Sequence, residues 1–302
     1  MGAPVVVLAG GTGGAKLARG MLDVVGEALT VIANTADDIE IYGAYVSPDP
    51  DLVTFWLADR IDDRGWGLRD DTFAVMDGLR ELGAEVWFSL GDRDLAIGIQ
   101  RAHRLAVGAR LTETLAELGA ALGVVARVVP MSDDHVRTWV RTDADWMPFQ
   151  EFMIRARAEG PVQDTQLRGA GKALPTAEAL AAIDAAHAII IGPSNPVISI
   201  GPILTVPEMR QALLDSPAPI VAVSPIVGGA VLKGPTEAFM RWAGYEASTQ
   251  AVADCYAGLI DGLVADEPVA GLPVLQTDTL MIDAASRRRV ASETLAFAEG
   301  LE

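Results

Sequence analysis

The sequence predicts an α/β fold: a Rossmann-like, open and mainly parallel sheet flanked by helices, with a smaller inserted α+β piece. Three observations lead to this fold class. The chain opens on a run of β-branched residues, Val5–Ala9, and a glycine-rich loop follows it directly. Similar apolar runs recur at Leu29–Ala33, Ala188–Ile191 and 220–224. Segments with helical periodicity separate these runs, which is typical of parallel strands joined by helices.

The remaining elements follow from periodicity and turn residues. We predict further strands over 85–90 and 263–265, and helices over 52–57, 73–82, 95–123 (with Thr112 as N-cap), 177–186, 235–257 and 286–301. From residue 124 the apolar pattern alternates more strongly, over 126–130, 135–141 and 147–155, which indicates an antiparallel inserted piece. The predicted division is a core of residues 1–126 and 177–302 and a smaller α+β subdomain of residues 127–176.

The composition is that of a globular protein, with 50% hydrophobic and 21% charged residues in a chain of 302. Its one cysteine, Cys255, excludes an intrachain disulfide and fits a reducing compartment. No apolar run approaches the length of a membrane span, and the first run is too short for a signal peptide. We therefore expect a cytoplasmic protein with no membrane partner.

The net charge of −18, from 41 acidic and 23 basic side chains, limits the classes of ligand that the protein can attract. Such a field repels nucleic acid, and no basic stripe with interleaved aromatic residues offsets it, so a nucleic acid partner is not expected. The same field repels phosphorylated small molecules. A site for them therefore needs local positive charge from backbone amides, from a few Arg or Lys side chains, or from a bound metal ion.

The loop after the first strand reads Gly10-Gly11-Thr12-Gly13-Gly14-Ala15-Lys16. A strand, a glycine loop and a helix in succession present backbone N–H groups at a helix N-terminus, where the helix dipole favours a phosphate. Lys16 adds a full positive charge to this prediction. The loop matches neither the Walker A pattern nor G-x-G-x-x-G. The alternative is a tight turn that binds nothing.

Two acidic loops follow at the expected carboxyl edge of the sheet. Asp37 and Asp38 come directly after the second strand, and Asp49 and Asp51 precede a helix. Carboxylates are the ligands that Mg²⁺ prefers, and one or two often suffice when phosphate oxygens supply the others. The alternative for the aspartates before the helix is N-capping.

Three further groups are candidates for ligand contacts. Arg93 follows the predicted strand 85–90 and can clamp phosphate or carboxylate oxygens, or form an ion pair with a neighbouring aspartate. Ser194 and Asn195 lie between two prolines after a buried strand, where they can contact a ligand or form a rigid turn. Trp66 or Trp87 can flank a planar ring, although a tryptophan near a strand is more often part of the core.

Taken together, these segments resemble the 2-phospho-L-lactate transferase family of coenzyme F420 biosynthesis. The matching pieces run in the family's order over nearly the whole chain: Gly10-Gly11-Thr12-Gly13, Asn34-Thr35-Ala36-Asp37-Asp38, Ser47-Pro48-Asp49-x-Asp51, Arg64-Gly65-Trp66-Gly67, Gly91-Asp92-Arg93-Asp94-Leu95-Ala96, Met131-Ser132-Asp133-Asp134, Gly192-Pro193-Ser194-Asn195-Pro196 and Ser224-Pro225-Ile226. Each piece alone is a weak signal, and the ordered set is specific.

The resemblance implies a Rossmann-like core and a Mg²⁺-dependent reaction, in a protein that is usually a homodimer. A phospholactyl-type group passes from a guanosine diphosphate-linked donor to the ribityl hydroxyl of 7,8-didemethyl-8-hydroxy-5-deazariboflavin, and GMP is released. The three-carbon acid of the donor (lactate, enolpyruvate or glycerate) stays open. By the same resemblance, Asp51 and Arg93 are tied to the deazaflavin acceptor and the reacting phosphates. Leu52 departs from the family pattern, which usually has Thr there.

The residues and the resemblance combine into one hypothesis. The glycine loop (Gly10, Gly11, Thr12, Gly13, Gly14), Lys16, Ser194 and Asn195 hold the nucleotide; Asp38 and Asp51 hold Mg²⁺; and Asp51, Asp92, Arg93 and Trp66 contact the deazaflavin. Asp38, Asp51 and Arg93 are the predicted catalytic residues, acting by positioning and electrostatics rather than as nucleophiles. The first alternative is a non-catalytic regulator of the same fold that binds a nucleotide-sugar. The second is a dinucleotide oxidoreductase, which the misfit to G-x-G-x-x-G disfavours.

Overall fold

The computed structural model describes residues 2–143, 145–231 and 234–301. Its strands are β1 (Val5–Ala9), β2 (Leu29–Ala33), β3 (Ile39–Ile41), β4 (Ala44–Val46), β5 (Arg127–Pro130), β6 (Arg137–Arg141), β7 (Trp146–Pro148), β8 (Asp164–Arg168), β9 (Ala188–Ile191), β10 (Ile220–Val223), β11 (Ile226–Val227), β12 (Ala230–Val231), β13 (Gly262–Ala265) and β14 (Val274–Gln276). Its α-helices are α1 (Gly11–Val25), α2 (Pro48–Leu57), α3 (Ala74–Glu81), α4 (Asp92–Ala106), α5 (Leu111–Ala121), α6 (Ala177–Asp184), α7 (Gly201–Thr205), α8 (Met209–Asp215), α9 (Thr236–Trp242), α10 (Thr249–Cys255) and α11 (Ala284–Glu299).

Seven parallel strands form the central sheet in the order β14-β13-β10-β9-β1-β2-β5. The chain moves outward from β1 in one direction through β2 and β5, then returns to β9 and moves outward in the other direction. This reversal lies between β1 and β9, and in open α/β sheets ligands bind above such a point, outside the carboxyl ends of the strands. The predicted fold class is confirmed.

Alternate residues of β1 face opposite sides of the sheet. Val5 and Val7 pack on the side covered by α1, α2 and α11, whereas Val6 and Leu8 pack on the side covered by α6, α8 and α10. Both sides are therefore buried, which explains why the central strands read as continuous apolar runs without alternation. No helix among the described residues is long and apolar enough to cross a membrane.

Several sequence predictions are confirmed and others are wrong. The predicted strands at β1, β2, β9, β10 and β13 are present. The predicted strand 85–90 is absent; the N–H groups of Trp87 and Phe88 donate instead to the hydroxyl of Tyr42, at 3.0 and 3.1 Å. The predicted helix 95–123 is divided into α4 and α5, and α5 is capped at Arg110 and not at Thr112. The predicted helix 235–257 is likewise divided, into α9 and α10.

The inserted segment 127–176 contributes to two sheets. Its first strand, β5, was expected to be antiparallel, but it pairs parallel to β2 at the edge of the central sheet. The strands β6 and β7 lie in the predicted antiparallel piece, and β8, which the sequence analysis missed, pairs with β6 to complete a three-stranded antiparallel sheet. Backbone N–H of Thr138 on β6 donates to the carbonyl of Ala36 at 2.7 Å, so this small sheet sits over the end of β2. The hairpin β3–β4, which the sequence analysis missed, covers the same end.

Candidate functional site

The glycine loop is closed on one side by other parts of the protein. A Cβ atom added at Gly13 would lie 2.0 Å from the carbonyl oxygen of Pro193, and one at Gly14 would lie 2.6 Å from Oγ of Ser194. These two glycines therefore allow α1 to touch the loop after β9. Packing alone accounts for both of them, as the alternative of a turn that binds nothing expects. Gly11 differs, because its φ is +64° and nothing lies within 4 Å of an added Cβ. The open side of the loop is at Gly11.

The N-terminus of α1 already has an anionic partner, the carboxylate of Asp49. Oδ1 of Asp49 accepts the N–H of Gly11 at 2.7 Å, and Oδ2 accepts Nδ2 of Asn34 at 2.9 Å. Burial raises the pKa of Asp49 to about 6, although these two hydrogen bonds lower it. Asp49 therefore caps α1 from the first turn of α2, and a phosphate at this end has to share the amides with it.

Lys16 lies away from the helix N-terminus, contrary to the prediction. Its ammonium donates to the carbonyl of Met281 at 3.0 Å and lies 5.8 Å from the centre of the Trp56 ring. The reason is helical geometry, since position 16 is on the side of α1 that packs against α2 and the segment before α11. Lys16 therefore links three segments of the core and does not point at the loop amides.

Asp37 and Asp38 are buried carboxylates at the carboxyl end of β2. Oδ1 of Asp38 accepts the hydroxyl of Ser47 at 2.7 Å, while its Oδ2 and Oδ1 of Asp37 accept no hydrogen bond from any described residue. Burial raises the pKa of Asp38 to about 7, although the charges of Arg137 and Arg101 lower it. Burial and the charge of Asp49 raise the pKa of Asp37 well above its ordinary value. An oxygen that is buried and unpaired is costly, which points to a missing positive partner.

Asp51 makes a buried ion pair with Arg101, a residue that the sequence analysis missed. The two terminal guanidinium nitrogens of Arg101 donate to the two carboxylate oxygens, and Nη1 also donates to the carbonyl of Tyr45 at 3.0 Å. Arg101 is only 2% exposed. Leu95, Gly98 and Arg101 are spaced three apart on the buried face of α4, and this spacing was the available signal. Leu52, beside Asp51, packs against the apolar cluster around α1 and α11.

One of the predicted acceptor residues, Trp66, lines a shallow hollow between the segment 64–73 and the start of α4, whereas Asp51, Asp92 and Arg93 are not among the residues that line it. Its lining includes Trp66, Phe73 and Asp94. The Trp66 side chain is 59% exposed, so it is not a core residue. Burial and the charges of Asp51 and Asp71 raise the pKa of Asp94 to about 7.

Arg93 and Asp92 differ in what they contact. The Arg93 side chain is exposed and makes no ion pair with any carboxylate in the described part of the chain, so the ion-pair alternative is wrong there. The Asp92 carboxylate caps the start of α3 by accepting the N–H groups of Ala74 and Val75, at 3.1 and 2.9 Å. The hydroxyl of Thr72 also donates to this carboxylate and has the largest effect in lowering the pKa of Asp92. The N–H groups of Val75 and Ala74 lower that pKa further. Arg93 is thus free to bind a ligand, whereas Asp92 is engaged in holding the loop.

Ser194 and Asn195 act mainly within the protein. Oγ of Ser194 accepts the N–H of Gly10 at 3.2 Å. Oδ1 of Asn195 accepts the N–H groups of Val197 and Ile198, and its Nδ2 donates to Oγ1 of Thr236 at 3.4 Å. Each polar atom of the Asn195 amide therefore has a partner, which favours the rigid-turn alternative for this residue.

Of the two predicted metal ligands, one fits a divalent cation and one does not. Asp38, with Asp37 beside it, offers buried oxygens that lack a hydrogen bond, and hard cations take such oxygens. Asp51 does not fit, because Arg101 occupies both of its oxygens. Within residues 2–143, 145–231 and 234–301, no group of three or more His, Cys, Asp or Glu has a metal-binding arrangement. A cation at Asp37 and Asp38 would thus need further ligands from substrate or water, as Mg²⁺ commonly has.

Comparison with known proteins gives a consistent result. Residues 5–290 match the family model described as 2-phospho-L-lactate transferase CofD. The chain is 40% identical over 265 residues to a 2-phospho-L-lactate transferase of Methanosarcina mazei, with 87% of each chain covered. It is 39% identical over 313 residues to a phosphoenolpyruvate transferase of Kitasatospora aureofaciens, with 98% of each covered. A solved UPF0052-family structure from Bacillus halodurans has a TM-score of 0.64 at 18% identity, covering 98% of this chain and 99% of that one, and it shows the fold alone.

Proposed function

Because the chain belongs to the 2-phospho-L-lactate transferase CofD family, a transferase family of coenzyme F420 biosynthesis, we propose the following reaction. A phospholactyl-type group passes from a guanosine diphosphate-linked donor to the ribityl hydroxyl of 7,8-didemethyl-8-hydroxy-5-deazariboflavin, and GMP leaves. The group is 2-phospholactate, phosphoenolpyruvate or phosphoglycerate. Relatives named for the first two match this chain about equally well, so the three candidates stay open.

The observation that carries this proposal is the pair of buried, unpaired carboxylate oxygens of Asp37 and Asp38. They lie at the carboxyl end of β2, next to the point where the strand order reverses. Asp37 and Asp38 would hold a Mg²⁺ ion there, and the ion would supply positive charge to balance the diphosphate of the donor. The glycine loop is open at Gly11, so the nucleotide can approach the N-terminus of α1 there, where it would share the Gly11 amide with Asp49.

The protein's own contribution is positioning and charge. Arg101 holds the carboxylate of Asp51 in one orientation through two hydrogen bonds, which suits Asp51 to orient the acceptor hydroxyl. The exposed guanidinium of Arg93 is available to stabilise charge on the phosphoryl group under attack. Trp66, in the hollow beside Asp94, offers an aromatic face to the planar deazaflavin. In this arrangement the acceptor lies in the hollow and the donor lies over the ends of β1 and β2.

The test is a direct assay with each of the three guanosine diphosphate-linked donors, the deazaflavin and Mg²⁺. We expect GMP release and a product heavier than the deazaflavin by one phosphoryl-linked acid, with one donor clearly preferred. Reactions without Mg²⁺ or without deazaflavin serve as controls and should give no product. Separately, a titration followed by the visible absorbance of the deazaflavin should show binding. Failure to bind the deazaflavin would refute the transferase proposal and favour the nucleotide-sugar regulator.

A further inference from the structure

The outer surface of the antiparallel sheet β7-β6-β8 carries arginines and tryptophans. Alternate residues of β6, namely Arg137, Trp139 and Arg141, share this surface with Arg168 of β8 and Trp146 of β7. We call these five residues the arginine–tryptophan face. The guanidinium of Arg168 lies 3.6 Å from the centre of the Trp139 ring, and that of Arg141 lies 5.6 Å from the centre of the Trp146 ring.

Within this face two like charges stand directly opposite each other. Arg137 on β6 pairs with Arg168 on β8 in the antiparallel register. Like charges in opposite positions destabilise a sheet, and nearby carboxylates normally neutralise them. The chain has 41 acidic residues, yet neither arginine forms an ion pair with a carboxylate of the described residues. Arg137 donates instead to the carbonyl of Val136 and the hydroxyl of Tyr45, at 2.7 and 2.9 Å.

The arginine pair adjoins the aspartates at the end of β2. Arg137 contacts Tyr45 on β4, and its charge lowers the pKa of Asp38, so the two groups interact. Backbone N–H of Thr138, next to Arg137, bonds to the carbonyl of Ala36. Arg137 therefore places one guanidinium group of the pair beside the buried carboxylates. In a protein of net charge −18, such a local positive surface also attracts anions to this edge.

We propose that Arg137 and Arg168 together bind a phosphate group of the nucleotide-linked donor. The ligand class is a nucleoside diphosphate, whose several anionic oxygens suit two arginines at paired positions of the sheet that form no ion pair with a described carboxylate. Trp139 holds the guanidinium of Arg168 in place by stacking beneath it. This inference rests on the proposed function for its donor, and it adds a contact outside the glycine loop and the aspartates. The competing account is that Arg168 only stabilises the sheet by its contact with Trp139.

The test uses Arg168→Gln, because the Arg168 side chain is exposed and makes no hydrogen bond to a described residue. GDP is titrated into the full-length protein in a calorimeter, with Mg²⁺ and at low salt. We expect GDP to bind the variant about tenfold more weakly than it binds the wild type, because one charge-assisted contact is lost. In the transferase assay the KM for the donor should rise while kcat and the KM for the deazaflavin, which has no phosphate, stay close to their wild-type values. Arg168→Lys should recover part of the GDP affinity.

The matched control is Arg210→Gln, which removes the same charge from α8, the helix that leads into the amino end of β10. It should leave GDP binding unchanged. Equal GDP affinity in the wild type and Arg168→Gln, with a lower melting temperature for the variant, would overturn the proposal in favour of the purely structural account. Loss of deazaflavin binding with GDP binding intact would also overturn it. Absence of GDP binding by the wild type would instead refute the nucleotide-linked donor, and with it the proposed function.

Discussion

Replacing Asp38 with asparagine is expected to lower turnover at least a hundredfold and to make the protein more stable at pH 8. The loss of turnover corresponds to roughly 3 kcal/mol in the activation barrier, because the amide no longer holds a cation on the phosphates. The gain in stability follows from burial, which raises the pKa of Asp38 to about 7, above its value in the unfolded chain. Between about pH 4 and pH 7 the folded state keeps a proton on Asp38 that the unfolded chain has lost, so stability falls across this range and the loss is complete above pH 7. Asparagine avoids that loss.

The measurement for Asp38→Asn pairs steady-state turnover with thermal unfolding at pH 5.5 and pH 8, without added metal. The variant should unfold at the higher temperature at both pH values, and by the larger margin at pH 8, where the wild type has lost all of the stabilisation that protonated Asp38 gives. Asp184→Asn, at the exposed end of α6, is the control and should change neither quantity. A variant that keeps near-wild-type turnover would remove Asp38 from the site, and one that is less stable at pH 8 would contradict the account of its burial.

Breaking the ion pair between Asp51 and Arg101 is expected to destabilise the protein by about 3–5 kcal/mol, more than any exposed ion pair of the chain. Arg101→Met leaves a carboxylate with no counter-charge in the interior, and Asp51→Asn leaves a guanidinium in the same position. The double variant removes both charges, so it should be much more stable than the sum of the two single changes indicates. Turnover should be low in all three variants, because Asp51 is either no longer held in position or replaced.

Urea unfolding of the wild type, both single variants and the double variant gives the coupling free energy directly. The exposed pair Arg241–Glu237 on α9 offers a matched comparison, for which the coupling should be below about 1 kcal/mol. Additive effects at Asp51 and Arg101 would show that the two side chains do not support each other. The proposed role of Arg101 in orienting Asp51 would then be wrong.

The parts of the fold that the sequence predicted are those fixed by local patterns. Buried runs such as Val5–Ala9 and Ala188–Ile191 have to be central strands, because nothing else in a chain of this composition buries both sides of such a run. The segment 85–90 shows the limit of this reasoning. Its residues have high strand propensity, but no neighbouring strand edge reaches them, and the Tyr42 hydroxyl takes two of their N–H groups. Propensity does not reveal whether a pairing partner exists.

The site follows the same division. The aspartates after β2 were predicted because the carboxyl end of a parallel strand can be located from the sequence. Three contacts could not be predicted from the sequence, because each depends on a distant segment: Lys16 with Met281, Asp49 with Gly11, and Arg101 with Asp51. Which charges are neutralised within the protein, and which stay available to a ligand, depends on tertiary packing. Asp51 and Asp38 look alike in the sequence, but Arg101 neutralises Asp51 within the protein, whereas one oxygen of Asp38 has no hydrogen-bond partner among the described residues.

In the proposed function, Asp37 and Asp38 bind a divalent cation together with a phosphate-bearing nucleotide. Binding of Mn²⁺, which takes the same oxygen ligands as Mg²⁺, tests this most directly by electron paramagnetic resonance in the presence of GDP. We predict that one Mn²⁺ binds per chain in the wild type and in Arg168→Lys, and that Asp38→Asn abolishes this binding. Undiminished Mn²⁺ binding by Asp38→Asn, or none by the wild type with GDP present, would contradict the claim.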